Sequence, residues 1–214
     1  TRLGKEIVMA VKAGGANPDA NSRLRTAMQN AKAVNMPKDR VEAAIKRASN
    51  KDESNYEELV YEGYAAHGVA ILVETATDNT NRTVANVRSY FNKCDGTLGK
   101  TGSLDFIFTR QSVFRFEPGE VDLEELELEL IDYGVEEVFE DEDGVLIYAP
   151  FESFGSIQKA LEEKDFEILS SGFERLPQVT KKISKEQAAD VDKLLEKLDN
   201  DDDVQNVYHT MDES

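Results

Sequence analysis

The chain has 214 residues, 25 Lys and Arg against 43 Asp and Glu, and a formal net charge of −18. An apolar fraction of 40% with 7 Tyr and 10 Phe is enough to build a core, which excludes a disordered acidic solvator. The longest strongly apolar stretch, residues 69–73, is far too short to span a bilayer, and a lone Cys94 permits neither an internal disulfide nor a thiolate zinc site of its own.

Residues 1–51 carry 11 Lys and Arg against 4 acids, a net of +7, and read as three short helices. Leu3, Ile7 and Val11 recur at helical spacing, and Gly14-Gly15 stops the first helix. Asp19 is the expected N-cap of a second, with Leu24, Ala27, Met28 and Ala31 on one face. Pro37 suits the first position of a third, which carries Val41, Ala44, Ile45 and Ala48. Opposite the stripes, basic residues recur seven apart: Lys5 and Lys12, Arg25 and Lys32, Arg40 and Arg47. Two helical turns return each pair to one face, so the spacing predicts positive charge displayed outward from all three helices. The polar run at 49–55 reads as a linker that closes a basic helical domain at about residue 52.

Beyond the linker the charge reverses, to −4 over 52–110, −16 over 111–180 and −5 over 181–214. Strands are expected at 58–64 and 69–75, joined through Ala65-Ala66-His67-Gly68, then a helix at 79–94. A pair of strands follows at 104–109 and 113–116, and then an acidic helix at 122–133 with Leu123, Leu126 and Leu130 inward. A hairpin at 135–140 and 145–149, turning on Asp143-Gly144, leads into a helix at 153–164 and a strand at 166–176. Counted from Val113, the order is the β-α-β-β-α-β of a ferredoxin-like domain. A last helix opens on the capping box Ser184 and Gln187 and buries Val191, Leu194, Leu195 and Leu198, before a strand at 204–208. That terminal piece has no partners nearby, so it is expected to complete the sheet begun at residue 58. The predicted fold is therefore α+β and multidomain. A three-helix domain precedes two α+β, ferredoxin-like domains, one inserted in the other: 53–110 plus 178–214, and an acidic 111–177.

Enzyme motifs fail on inspection, and no catalytic residue, metal, cofactor or small-molecule substrate is expected. Gly99-Lys100-Thr101 resembles the end of a phosphate-binding loop, but Cys94 stands where the first glycine belongs and the flanking elements are in the wrong order. The acidic run at 140–144 lacks the ligand order of a calcium loop. His67 and His209 have no patterned nucleophile beside them. NTNRT at 79–83 is different: Asn and Thr around Arg82 open a helix, where amides and a guanidinium can converge on an anion. Arg88 shares that helix, and the glycine-rich segment 95–103 brings Lys100. The same residues also make an ordinary Asn/Thr cap followed by a flexible loop.

Read together, GGANPDANSRLR (14–25), NMPKD (35–39), YEGYAAHGVAILVE (61–74), TDNTNRTVANVR (77–88), GTLGKTGS (96–103) and DDDVQNVYH (201–209) resemble the YebC/PmpR family. That family includes the mitochondrial translational activator of cytochrome oxidase subunit I. The resemblance runs in register along the whole chain and implies three domains, one of them helical. It also implies a basic segment before Thr1, in keeping with a chain that opens without Met and inside a helical pattern. Ala65-Ala66-His67-Gly68 departs from the Gly/Pro-rich turn of many relatives. Members of the family are described as DNA-binding transcriptional regulators or as translation factors acting on the ribosome.

Two expectations follow. As a cytoplasmic translation factor, the chain would grip rRNA or tRNA backbone with its basic end and turn its acidic domains toward ribosomal proteins. As a transcriptional regulator, it would offer Arg23, Arg25, Gln29, Asn30 and Lys32 of the second helix to promoter DNA. The first is favoured, because a strongly acidic body resists lying along a naked duplex. The expected nucleic-acid contacts are Lys5, Lys12, Arg23, Arg25, Lys32, Arg40, Lys46, Arg47, Arg82, Arg88 and Lys100.

Overall fold

The structure is a computed structural model that describes residues 2–51, 53 and 55–212, so Asp52 and Ser54 of the expected linker lie outside the described residues. The elements begin with α1 (Arg2–Gly14), α2 (Ser22–Ala33), α3 (Lys38–Ala48), β1 (Glu57–Tyr64), β2 (Ala70–Thr77), α4 (Thr80–Lys93) and β3 (Thr97–Leu98). They continue with β4 (Phe108–Glu117), α5 (Leu123–Ile131), β5 (Glu137–Asp141), β6 (Gly144–Pro150), α6 (Phe154–Glu163), β7 (Glu167–Pro177), α7 (Lys185–Asp199) and β8 (Val204–His209). The chain divides into two compact units. One comprises Thr1–Lys5, Asp52–Thr109 and Leu176–Ser214, the other Glu6–Lys51 and Arg110–Arg175.

The first unit holds a sheet in the order β3-β1-β2-β8, with every neighbouring pair antiparallel. The terminal strand completes the sheet as expected: Ile71 faces His209 and Val73 faces Val207 across β2 and β8. One face carries Ile71 and Val73 against Val87 and Phe91 of α4 and Val191, Leu194 and Leu198 of α7. Period-two alternation puts Ala70 and Leu72 on the other face, where Leu104 and Phe108 cover them. Those two residues correct an expectation. The strand predicted at 104–109 is a run of turns, closed by the amides of Ser103, Asp105 and Ile107 on the carbonyls of Lys100, Gly102 and Leu104. Gly102, at φ 87, bends the chain out of an extended path, and β4 begins only at Phe108.

The second unit contains the ferredoxin-like run β4-α5-β5-β6-α6-β7, with sheet order β5-β6-β4-β7. Phe114, Phe116, Val145, Ile147 and Ala149 alternate inward and meet Leu126 and Leu130 of α5 and Ile157 and Leu161 of α6. The hairpin turns on Glu142-Asp143, one residue earlier than expected, because Gly144 (φ 113) already pairs with Asp141. In the helical part of this unit Leu24, Ala27 and Ala31 of α2 and Val41, Ala44 and Ala48 of α3 are buried. Ile7, Val8, Met9, Ala10 and Val11 are all buried too, so α1 is enclosed around its whole circumference there, not along one stripe. Asn21, not Asp19, caps α2. Its Oδ1 accepts from the Leu24 amide while its Nδ2 donates to the carbonyls of Ala10 and Gly15, joining α1 to α2. Pro37 sits at the N-cap of α3, one position before the place predicted for it.

Candidate nucleic-acid interface

Helix α2 was the element expected to offer base-reading side chains, and its polar face is already engaged within its own unit. The Arg25 guanidinium straddles Glu162 on α6, with contacts of 3.2–3.3 Å, and also donates to the Pro18 carbonyl at 2.9 Å. The Asn30 amide brackets Ser171 on β7, donating to its carbonyl at 2.7 Å and accepting from its N–H at 2.9 Å. Gln158 of α6 donates to the Thr26 hydroxyl. These contacts use the donors and acceptors that a groove-reading helix must keep available. Arg23 lies 3.9 Å from Glu6, and Lys12 is half-buried.

The other basic residues of the helices remain at the surface. Lys32 stands exposed in the last turn of α2, and Arg40, Lys46 and Arg47 stand exposed on α3. Lys46 and Arg47 line an open depression of about 440 Å³ together with Ala43, Ser49 and Asn50. Their place in the last turn of α3 also suits the negative end of the helix dipole, a structural reason for basic residues there. Phosphate recognition needs only positive charge on an accessible face, which these four residues provide.

In the first unit, Lys5 turns inward and Arg82, still half-exposed, is engaged by two acids. Lys5 is buried; its ammonium donates to the carbonyls of Ala76 (2.9 Å) and Asp202 (2.6 Å). Burial pushes the Lys5 pKa below that of an ordinary lysine, against the upward pull of Asp203, Asp202 and Asp78. The seven-residue spacing predicted an outward Lys5, but the first turn of α1 packs beside the ends of β2 and β8, where unpaired carbonyls need a donor. Arg82 of the NTNRT run makes a two-pronged pair with Asp203, Nε to Oδ2 at 3.1 Å and Nη2 to Oδ1 at 2.8 Å, and also meets Asp78 at 2.9 Å. The Thr83 hydroxyl adds a 2.8 Å bond to the same Asp203 carboxylate. Burial alone would raise the Asp203 pKa; the hydrogen bonds from Arg82 and Thr83 reverse this and hold it below the usual carboxylate value. Asn79 caps α4 through the Arg82 amide. NTNRT thus forms a cap and an ion-pair lock on the turn before β8.

Arg88 and Lys100 are exposed, Arg88 on α4 and Lys100 in the glycine-rich loop. That loop is anchored by a residue the sequence reading passed over. Glu62 on β1 is 2% exposed, and its carboxylate accepts from the amides of Gly102 and Leu104. The available signal was an acid in the middle of the apolar-flanked strand at 58–64. Asp203 was missed likewise, as one of three consecutive aspartates with nothing local to mark it.

Among the described residues no cluster of His, Cys, Asp and Glu could hold a metal ion, and no helix is long and apolar enough to cross a membrane. Family profiles match nearly the whole chain: the TACO1/YebC protein N-terminal domain over residues 1–51, and the TACO1/YebC second and third domain over residues 56–211. A Flavobacterium johnsoniae protein named "probable transcriptional regulatory protein" is 68% identical over 213 residues, 100% of this chain and 90% of its own length. A Cytophaga hutchinsonii protein of the same name is 58% identical over 214 residues, again with 100% and 90% covered. The crystal structure of a conserved hypothetical protein from Aquifex aeolicus superposes with a TM-score of 0.78 at 38% identity, covering 99% of this chain and 88% of that one. With profiles in register along its length and relatives this similar, the chain belongs to the TACO1/YebC family.

Proposed function

We propose that this chain is a non-enzymatic gene-expression factor that grips nucleic-acid backbone with the basic surface of α2 and α3, and that its target is RNA on the ribosome. The observation that carries this reading is the engagement of α2. Arg25 and Asn30, two of the five side chains offered for base reading, are held by Glu162 and Ser171. Lys32, Arg40, Lys46 and Arg47 stay accessible for contacts that need charge and shape alone. Residues 52–214 carry a net −25, which repels a naked duplex over a screening length of about 8–10 Å. On a ribosome that same acidity can face basic proteins. The names of the relatives favour a second reading, a transcriptional regulator bound to promoter DNA.

Co-sedimentation with ribosomes at physiological salt, run beside promoter binding over nonspecific DNA, separates the two. Ribosome association is expected; promoter selectivity that survives moderate salt without it would overturn the first reading. Replacing Lys32, Arg40, Lys46 and Arg47 with Gln is expected to weaken binding and flatten its salt dependence, by about 0.7 in the log–log slope per lost contact to single-stranded RNA. Arg25→Gln is expected to lower stability while leaving that slope unchanged, because its charge already faces Glu162. An unchanged slope in the fourfold variant would place the grip elsewhere.

A further inference from the structure

Phe106 is 73% exposed although Leu104 and Phe108, two residues away on either side, are buried. Leu104 and Phe108 are buried as the cover over Ala70 and Leu72, and Ile107 packs against the same cluster. The cover accounts for those three and assigns no task to the Phe106 ring. Val179, 77% exposed, comes alongside: the Gln178 amide donates to the Ile107 carbonyl at 3.0 Å, and its side chain donates to the Thr109 hydroxyl. The loop beneath the ring is held in shape. Besides the two amides on the buried Glu62 carboxylate, the Gly99 amide donates to the Glu62 carbonyl at 2.8 Å. Lys100 is exposed six residues before Phe106, whereas the Lys181 ammonium lies against Gly68. The acid of the loop, Asp105, has its carboxylate toward Gly102. A pre-ordered loop therefore presents a bare aromatic ring and an exposed Lys100, in a chain whose overall charge is −18.

We propose that this loop is a stacking platform for single-stranded nucleic acid: an unpaired base lies on the Phe106 ring and a flanking phosphate meets Lys100. The chemistry is sequence-tolerant, because every base has a π-face and the cation sees only the backbone. The proposal rests on the nucleic-acid reading above and deepens it, adding a single-strand contact in the first unit to the backbone grip of α2 and α3. An exposed position is also a safe one to alter, since neither the cover nor the Glu62 anchor uses the ring.

The chain contains no Trp, so Phe106→Trp installs a sole indole reporter. On titration with a uridine 12-mer, its fluorescence is expected to fall with affinity retained. Phe106→Ala is expected to weaken binding of the 12-mer at least about fivefold and to leave binding of a 12-base-pair RNA duplex unchanged. An unquenched indole at saturating 12-mer, or a Phe106→Ala protein that binds both ligands like the original, overturns the platform while duplex and ribosome binding leave the proposed function standing. If the unaltered protein binds neither ligand nor ribosomes at physiological salt, both readings fall.

Discussion

Asp203→Ala is expected to destabilise the first unit by about 2–3 kcal/mol, read as a lower urea midpoint at unchanged slope. The carboxylate is 7% exposed and is the meeting point of Arg82 and Thr83, with Lys5 close enough to stabilise its charge. Removing one member of a buried pair typically costs about 3–5 kcal/mol, since the other charge is left without compensation. Here the Arg82 side chain is 46% exposed and retains Asp78, so water recovers part of the loss. Thr83 is fully buried, but its hydroxyl can still donate to the Asn79 carbonyl, 3.1 Å away. A second substitution decides whether the ion pair is responsible. The double variant Asp203→Ala with Arg82→Met is expected to cost less, relative to the original chain, than the sum of the two single changes; full additivity would mean that the pair contributes nothing.

The same lock has a pH signature. The Asp203 carboxyl ionises more readily in the folded chain than its ordinary value of 3.8. Between that value and the lower folded one, the unfolded state binds the proton and the folded state does not, so stability rises with pH across this window. The contribution is complete above the ordinary carboxylate range and is lost as the pH falls through the folded value. Asp203→Asn is expected to remove that part of the acid limb while keeping the side-chain shape. An identical limb in the variant would assign the acid sensitivity to other carboxylates.

Much of the architecture was legible because it is locally encoded. The stripe on α7 and its Ser184–Gln187 capping box need only neighbours three and four apart, and both reciprocal bonds of the box are present. The final strand could be assigned to the first sheet because a lone α-β piece has no other partner. The run at 104–109 failed for a definite reason. Leu104, Phe106 and Phe108 alternate in the sequence as a strand would, but only Leu104 and Phe108 are buried, with Ile107 packed beside them, and the turns around Gly102 break the period. Site reasoning lost most where a partner is distant in sequence. Arg82 and Asp203 are 121 residues apart, and Arg25 and Glu162 are 137 apart. Asp78, four residues before Arg82, marks only part of that engagement, and no acid stands within a helical turn of Arg25. Lys32, Arg40 and Arg47 lie on the surface, where helical spacing put them, and Lys46 is exposed beside Arg47.

Glu62→Ala is expected to have a comparable cost, about 2–4 kcal/mol, through a different route. Among the described residues the carboxylate holds no basic side chain; it satisfies backbone. Its loss leaves the Gly102 and Leu104 amides without acceptors, Leu104 in a buried position, at about 1–3 kcal/mol for each amide that water cannot reach. Gly102 is partly exposed and can recruit water, so most of the cost should fall on Leu104 and the cover it forms over Leu72. Hydrogen exchange resolves this directly. The amides of Gly99, Gly102 and Leu104 are expected to lose protection while those of the β1–β2 ladder keep theirs. Glu62→Gln preserves one acceptor but turns an NH2 group toward the second amide, so it should recover only part of the protection. Because the same anchor fixes the loop beneath Phe106, Glu62→Ala in the Phe106→Trp background should also weaken indole quenching by the 12-mer: a platform that must be re-ordered on each encounter binds less tightly than one already built. Unchanged exchange at Gly102 and Leu104 would mean that the turns hold themselves, and that the buried acid serves some end other than ordering the loop.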